Sequence, residues 1–226
     1  SDTVTFAGDI SGAGGIMLMG PGTVKLTGNN TFTGGTAIGG GIVQASSDAA
    51  FGAAGTTLRI GGGATVQALA SFISDRAVSL LAMGGTFDTG GNTLTLQGPI
   101  TGAGALTKVG SGTLILTGAN SYRGGTTVEA GTVQGNTTSL QGAIVNNATV
   151  MFDQGMGGTY AGVMSGTGAL IKTGAGNLTL TGANSYIGGT TVSGGTLTGN
   201  TTSLQGNITN NATVAFDQAT NGTYGG

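Results

Sequence analysis

The chain has 226 residues, with six Lys and Arg, eight Asp and Glu, no His, no Cys and a formal net charge of −2. Gly supplies 50 residues and charged residues 6%, while 38% of the chain is hydrophobic. Low net charge and this apolar fraction exclude disorder, and the absent Cys excludes disulfides and thiolate metal sites. The few scattered Lys and Arg exclude a nucleic-acid-binding surface. No apolar run approaches the ~20 residues that a membrane helix needs.

Short strands are predicted along the whole chain, because apolar and polar residues alternate with period two between Gly-rich and Asn-rich corners. The stretch ALASFISDRAVSLLAM at 68–83 is the one place for a helix, yet AVSL alternates and Ser74-Asp75 is typical of a turn, which favours strands. The alternating segments, in chain order, are TVTF (3–6), TVKL (23–26), TLIL (113–116), ATVMFDQ (148–154), NLTL (177–180) and ATVAFDQ (212–218).

An internal repeat organises these strands. Residues 102–162 align with 166–226 without a gap, at an offset of 64, and most positions are identical. A more diverged copy at 20–35 matches 110–125 at an offset of 90, and the difference between the two offsets has the length of one further solenoid turn. We therefore predict one continuous domain over 1–226, divided into units at approximately 10–99, 100–163 and 164–226.

A parallel β-helix satisfies this pattern, because each coil hydrogen-bonds the same strands of the next coil and identical corners stack on each other. Gly and Asn tolerate the left-handed conformations of tight corners, and Asn side chains form ladders between coils. The 64-residue period predicts three coils of about 21 residues. The chain would then form roughly ten or eleven coils, in a rod about 50 Å long.

Candidate catalytic groups are sparse. Asp88, Asp153 and Asp217 each end an FD pair, once per long repeat, so they are predicted to cap the same strand in successive units. Carboxylates that are separated by a whole repeat of several coils lie too far apart to form an acid–base pair. A chain without His also lacks the ordinary base of a catalytic triad. We therefore predict no catalytic, metal-binding or cofactor-binding residue, no cofactor and no enzymatic activity.

Three further sets of residues have a structural interpretation. The Gly-rich segment GAGALTKVG at 102–110 lacks the Gly-Lys-Ser/Thr order of a phosphate-binding loop. Lys108 and Lys172 recur at equivalent positions and are predicted to be solvated. Tyr122, Tyr186 and the equivalent Phe32 are predicted to form an aromatic stack that closes the core, with a sugar-binding platform as the alternative.

The motif GxLxKxGxGxLxLTGANSYxGGTTVxxGTL, as it stands across 104–133 and 168–197, resembles the passenger-associated transport repeat of bacterial autotransporters. Residues 12–36 match it loosely. The resemblance implies a right-handed parallel β-helix that an outer-membrane barrel exports to the bacterial cell surface. Because no signal peptide and no barrel are present, the resemblance implies an internal slice of such a passenger.

Three functions follow from these observations. The first is a structural stalk or fibre segment that presents or contributes to adhesion. The second is a module that itself binds a glycan or protein on a host or sister cell, and the third is an enzyme or ice-binding protein on the same fold. An ice-binding face needs Thr-x-Thr in every coil, and Ile115 interrupts it. The chain's ends also predict end-to-end self-association, because neither carries the charges that blunt an exposed strand edge.

Overall fold

The computed structural model describes residues 3–226, which fold into 26 short strands and one 3-10 turn. The 3-10 turn spans Asp48–Phe51. The first twelve strands are β1 (Thr3–Phe6), β2 (Ile16–Leu18), β3 (Thr23–Leu26), β4 (Thr36–Ile38), β5 (Ile42–Ala45), β6 (Leu58–Ile60), β7 (Ala64–Ala68), β8 (Phe72–Ser74), β9 (Val78–Leu80), β10 (Gly85–Asp88), β11 (Thr93–Leu96) and β12 (Ile100–Gly102). The others are β13 (Leu106–Val109), β14 (Thr113–Leu116), β15 (Thr126–Val128), β16 (Thr132–Gly135), β17 (Ile144–Asn146), β18 (Thr149–Asp153), β19 (Gly158–Tyr160), β20 (Met164–Ser165), β21 (Ala169–Thr173), β22 (Asn177–Leu180), β23 (Thr190–Val192), β24 (Thr196–Gly199), β25 (Ile208–Asn210) and β26 (Thr213–Phe216).

The strands form a three-sided solenoid of about 11 turns in which every strand pair is parallel. The first face is the nine-stranded sheet β1-β3-β5-β7-β10-β13-β15-β17-β20, and the second is the eight-stranded sheet that runs from β8 to β25. The third face consists of the five-stranded sheet β2-β4-β6-β9-β12 and the four-stranded sheet β19-β22-β24-β26. The predicted all-β parallel β-helix is confirmed, and 68–83 contains the strands β8 and β9 rather than a helix.

The core lies on the solenoid axis and is built from the inward residue of each alternating pair. In β14, Leu114 and Leu116 are buried while Thr113 and Ile115 are half-buried, and the same alternation recurs in β7, β11 and β16. The sequence spacing between a residue and its partner in the next coil varies, from the short interval between Val133 and Val150 to the longer one between Val43 and Val66. Corners of variable length absorb these differences, so the strands keep their register and the core is continuous.

The sequence repeat does not contain a whole number of turns. From β14 the chain passes three complete turns through β16, β18 and β21, and then advances one face to β22, the equivalent strand of the next copy. From β3 to β14 it passes four complete turns and again advances one face. The expectation that one 64-residue period holds three coils is wrong. The period holds three turns and one further face, because the average coil is shorter than the assumed length of about 21 residues. Equivalent strands of the three copies therefore lie on three different faces.

A buried Asn after each of these strands connects three coils. The Oδ1 atom of Asn120 accepts a hydrogen bond from the N–H of Ile100 at 2.8 Å, one coil before, and its Nδ2 donates to the carbonyl of Ser139 at 2.7 Å, one coil after. Asn184 and Asn30 make the same two bonds in the other copies. The predicted Asn ladders are thus replaced by Asn-to-backbone bridges, which fix the stacking distance at the corner.

Two lysines are buried in the solenoid wall, contrary to the expectation that they are solvated. Lys108 and Lys172 have no exposed surface. The ammonium group of Lys108 donates to the carbonyls of Val109, Gly110 and Ala130 at 2.7–3.1 Å, and that of Lys172 donates to three equivalent carbonyls. Three carbonyl acceptors match the three donors of an ammonium group, so each lysine ties its own corner to the next coil.

Burial lowers the pKa of both lysines. Desolvation lowers the pKa of Lys108 from 10.5 to about 8, against the opposing attraction of the Asp88 carboxylate. Desolvation also lowers the pKa of Lys172, with Asp153 in the opposing role. The four tyrosines behave in the opposite sense, since burial raises the pKa of Tyr122, Tyr160, Tyr186 and Tyr224 above 10.0.

We expect Leu116→Asp and Leu180→Asp each to reduce the free energy of unfolding by at least about 3 kcal/mol, because both side chains are buried and an unpaired carboxylate in the core is costly. Thr117→Asp is the matched control, since Thr117 is exposed, and it should change stability by about 0.5 kcal/mol or less. Urea unfolding curves of the three variants test this. Equal losses at all three positions would contradict the alternation of buried and exposed residues.

Stability should rise as the pH increases from about 8 to about 10. Above pH 8 the folded state releases the Lys108 proton while the unfolded chain keeps it, so the unfolded state binds more protons and stability increases with pH. Above the ordinary tyrosine pKa of 10.0 the raised tyrosine pKa values reverse the slope, because the folded state then retains protons that the unfolded state loses.

Urea midpoints measured at intervals between pH 7 and 11 test this pH dependence. The double variant Lys108→Met, Lys172→Met should be less stable at pH 7 but show no rise between pH 8 and 10. A rise of equal size in the double variant would mean that other groups cause it.

Candidate interaction surfaces

The described residues contain no group of three or more acidic side chains that could hold a metal ion, and Cys and His are absent. Asp88 lies in β10 on the first face, Asp153 in β18 on the second, and Asp217 directly after β26 on the third. Asp153 and Asp217 recur at the 64-residue offset, whereas Asp88 ends a strand one turn further into its own copy, so the prediction that all three cap the same strand is wrong for Asp88. The three residues lie on three different faces and do not form one row. Their arrangement offers no paired carboxylates for acid–base chemistry.

The recurring corner aromatics belong to the core. Phe32, Tyr122 and Tyr186 are each 1–2% exposed. The hydroxyl of Tyr122 is 2.6 Å from that of Thr126, and Tyr186 and Thr190 repeat the contact at 2.7 Å. The prediction that these residues are core aromatics is confirmed, whereas the predicted stack is wrong, since the three copies lie on different faces. They offer no platform for a sugar.

The outward side of the first face carries a polar row that continues over four coils. Lys25, Gln44, Gln67 and Asp88 occupy the same register in β3, β5, β7 and β10. The Gln44 amide donates to Gln67 at 2.7 Å, and the Gln67 amide donates to Asp88 at 2.6 Å. These side chains satisfy one another along the axis, so the row stabilises coil stacking and leaves few groups available to a ligand.

The Thr-x-Thr pairs do not form a continuous row either. Thr93 and Thr95 lie in β11 on the second face, whereas Thr179 lies in β22 on the third face. In the register of the second face, Thr95 is followed by Ile115 and then Gln134. The regular hydroxyl array of an ice-binding face is therefore absent from the described coils.

The coils at both ends of the described chain expose core-type residues. Val4 and Phe6 of β1 are 54% and 46% exposed, and Phe216 of β26 is 50% exposed. Strand β1 pairs on one side only, with β3, and β26 pairs only with β24. Each end therefore presents an unpaired strand edge beside apolar side chains, which is a surface suited to a further coil.

A concave surface interrupts the regular wall of the third face. A groove of about 600 Å³ lies against β2, β4 and β6 on the third face. Its lining residues are Gly15, Ile16, Met17, Thr33, Gly34, Gly35, Thr36, Ala37, Gly55, Thr56, Thr57 and Arg59. Sequence reasoning missed this groove. A signal for it was present, because the first copy is longer than the others at 51–57.

A family model and a similar curated protein both relate the chain to autotransporters. The model for the passenger-associated-transport-repeat matches residues 19–45, 106–134 and 170–198. The chain is 44% identical over 180 residues, 78% of its length, to the protein named adhesin BmaC autotransporter of Brucella suis biovar 1 (strain 1330). It spans only 5% of that relative. No solved structure matches the chain.

The three matched segments place β3, β14 and β22, one per copy, inside the family repeat. Within residues 3–226, the structure has no helix that is long and apolar enough to cross a membrane. Passengers of this kind are exported through the outer membrane and exposed at the cell surface. The chain carries three passenger-associated transport repeats, and over most of its length it is similar to a Brucella autotransporter that is named as an adhesin.

Proposed function

We propose that this chain is a rigid spacer segment of a surface-displayed adhesin, which holds an adhesive region away from the cell. The observation that carries the proposal is the uninterrupted solenoid of about 11 turns. At about 4.8 Å per turn, the segment spans roughly 50 Å. The relative named as an adhesin supports the link to adhesion.

Stiffness supports the spacer role. Each coil is bonded to its neighbours by parallel strand pairs on its faces, by the Asn bridges at the corners and by the buried lysines. All buried side-chain N and O atoms among the described residues have a hydrogen-bond partner. Bending the rod would break several of these bonds at once, so the end-to-end distance varies little.

A non-enzymatic role agrees with the same features. The carboxylates that recur once per copy lie on three different faces, and the polar row of the first face is satisfied by its own hydrogen bonds. We propose that the chain contributes length and display rather than chemistry, with direct binding of a partner as the alternative.

The spacer role is tested by replacing this segment within the complete surface protein. An unrelated β-solenoid of the same length should preserve adhesion to host cells, whereas a flexible Gly/Ser linker with the same number of residues should reduce it several-fold, because a coil has no fixed reach. Cell-adhesion counts at matched surface expression give the result. Equal loss with both replacements would show that the segment binds the partner itself.

The isolated 226-residue chain should associate end to end as its concentration rises, because β1 and β26 have unpaired edges beside exposed Val4, Phe6 and Phe216. A contact between unlike ends extends into fibres instead of closing into a ring. Light scattering over a dilution series measures the association. Thr213→Lys, in β26, and Thr223→Lys, in the exposed segment that follows β26, should suppress it, since charge on or beside a strand edge opposes pairing. A monomer at all concentrations, unchanged by the lysines, would contradict this prediction.

A further inference from the structure

The first copy contains an insertion at one corner of the solenoid. Asn30 donates to the carbonyl of Ala50, and seven positions later Thr57 accepts from the N–H of Thr36. The equivalent acceptors are four positions apart in the second copy, Ser139 to Ala143, and four in the third, Ser203 to Asn207. The three additional positions lie within a turn at 53–57, which we call the corner loop, and exposed Gly55 lies at its tip.

A buried arginine holds the corner loop in one conformation. Arg76 is 1% exposed, and its Nε donates to the carboxylate of Asp48 at 2.7 Å. Its guanidinium also donates to the carbonyls of Asp48, Phe51, Gly52 and Ala53, at 2.6–3.3 Å, and to the Thr56 hydroxyl. A single side chain therefore binds the backbone that leads into the loop and the hydroxyl of Thr56 within it. A loop that is fixed in advance loses little entropy when a ligand binds.

The corner loop forms one wall of the groove on the third face, and Arg59 lies at its edge. Arg59 is the outward residue of β6, between buried Leu58 and Ile60, and it is exposed. Within residues 3–226, its guanidinium makes no ion pair. In the same outward row, Met17 is 70% exposed and lies two coils away. The groove thus combines a free guanidinium with an exposed apolar side chain.

The remaining lining consists mainly of threonines and glycines, together with the apolar residues Ile16 and Ala37. The side chains of Thr33 and Thr57 contribute hydroxyl groups, and exposed Gly34 leaves its backbone accessible. The Thr56 hydroxyl is bonded to Arg76 and to the Ala53 carbonyl. A Cβ atom on Gly34 would clash with the backbone of Gly14 and Gly15, so glycine is required at this position. The volume of about 600 Å³ lies within the range of small-ligand sites, about 300–1,000 Å³.

We propose that this groove binds a carbohydrate that carries a carboxylate, such as a uronic acid unit of a surface glycan. The Arg59 fork pairs with the carboxylate through two parallel hydrogen bonds, and the hydroxyls of Thr33 and Thr57, with the carbonyl of Gly34, bind the sugar hydroxyls. Met17 covers the apolar C–H side of the ring. The site goes beyond the spacer function and does not depend on it, because a rod of unchanged length can carry it or lack it.

The charge distribution favours a carboxylate over a polyanion. Arg59 is the only basic residue that lines the groove, whereas a nucleic acid or a phosphate-rich polymer needs several positive groups in a row. The chain as a whole carries a net charge of −2. One guanidinium matches one carboxylate, and the surrounding hydroxyls match a polyhydroxylated ring.

Backbone amide shifts of the ¹⁵N-labelled chain test the site directly. Sodium glucuronate should shift the amides of 33–35 and 55–57, whereas glucose, in which a hydroxymethyl group replaces the carboxylate, should bind at least about ten-fold more weakly. The matching corners at 122–125 and 140–143 lack the insertion and should not respond. Sodium sulfate should bind more weakly than glucuronate, because it cannot engage the sugar-binding groups.

Arg59→Gln should weaken glucuronate binding about ten-fold, and the thermal midpoint should be unchanged because the side chain is exposed. Arg123→Gln is the matched control, since Arg123 is exposed on the same face outside the groove, and it should bind glucuronate as the parent chain does. The proposal is overturned if glucuronate shifts no amide of the groove, if sulfate binds as tightly as glucuronate, or if Arg123→Gln weakens binding as much as Arg59→Gln.

Discussion

The structure depends on backbone hydrogen bonding between coils, because no coil can satisfy its own strands. Every strand pair in the solenoid is parallel and joins residues about one coil apart in sequence. A short strand such as β14 gains its partners and the burial of Leu114 and Leu116 from β11 and β16 on either side. The repeat in the sequence is the consequence: stability increases with each added coil, and near-identical coils stack without adjustment.

The buried polar side chains also form hydrogen bonds between coils. Asn120, Lys108 and Arg76 are buried, and each donates to carbonyl oxygens of other coils. Their side chains take over the bonding that strands cannot provide at the corners, where the backbone turns away from the ladder. Removing one of them would leave buried carbonyls without a donor, which costs about 1–3 kcal/mol per group.

Much of the fold could be predicted from the sequence, because the alternation of apolar and polar residues and the internal repeat can both be read directly from the order of the residues. The strand character of 68–83 and the inward leucines follow from period-two patterns, and the approximate number of coils follows from the length of the repeat. The face on which each copy lies could not be predicted, since it depends on the sum of corner lengths that vary from coil to coil. Burial of Lys108 was missed because a lone Lys in an alternating segment gives no sign of the three carbonyls that surround it. The groove was missed because it arises from a short insertion and from Arg76, which belongs to the coil after that of Arg59.

Because each sequence copy advances by one face, a binding partner contacts equivalent corners of successive copies on different sides of the rod. A 64-residue copy corresponds to about 16 Å of axis and a rotation of one third of a circle, so three such copies return the same corner to the same side after ten turns, or about 48 Å. A partner that lies flat against one flank would therefore encounter any given corner only once in that interval. An antibody or receptor that recognises the repeat would instead find its epitope distributed around the whole circumference, and two arms could engage neighbouring copies only by reaching around the rod.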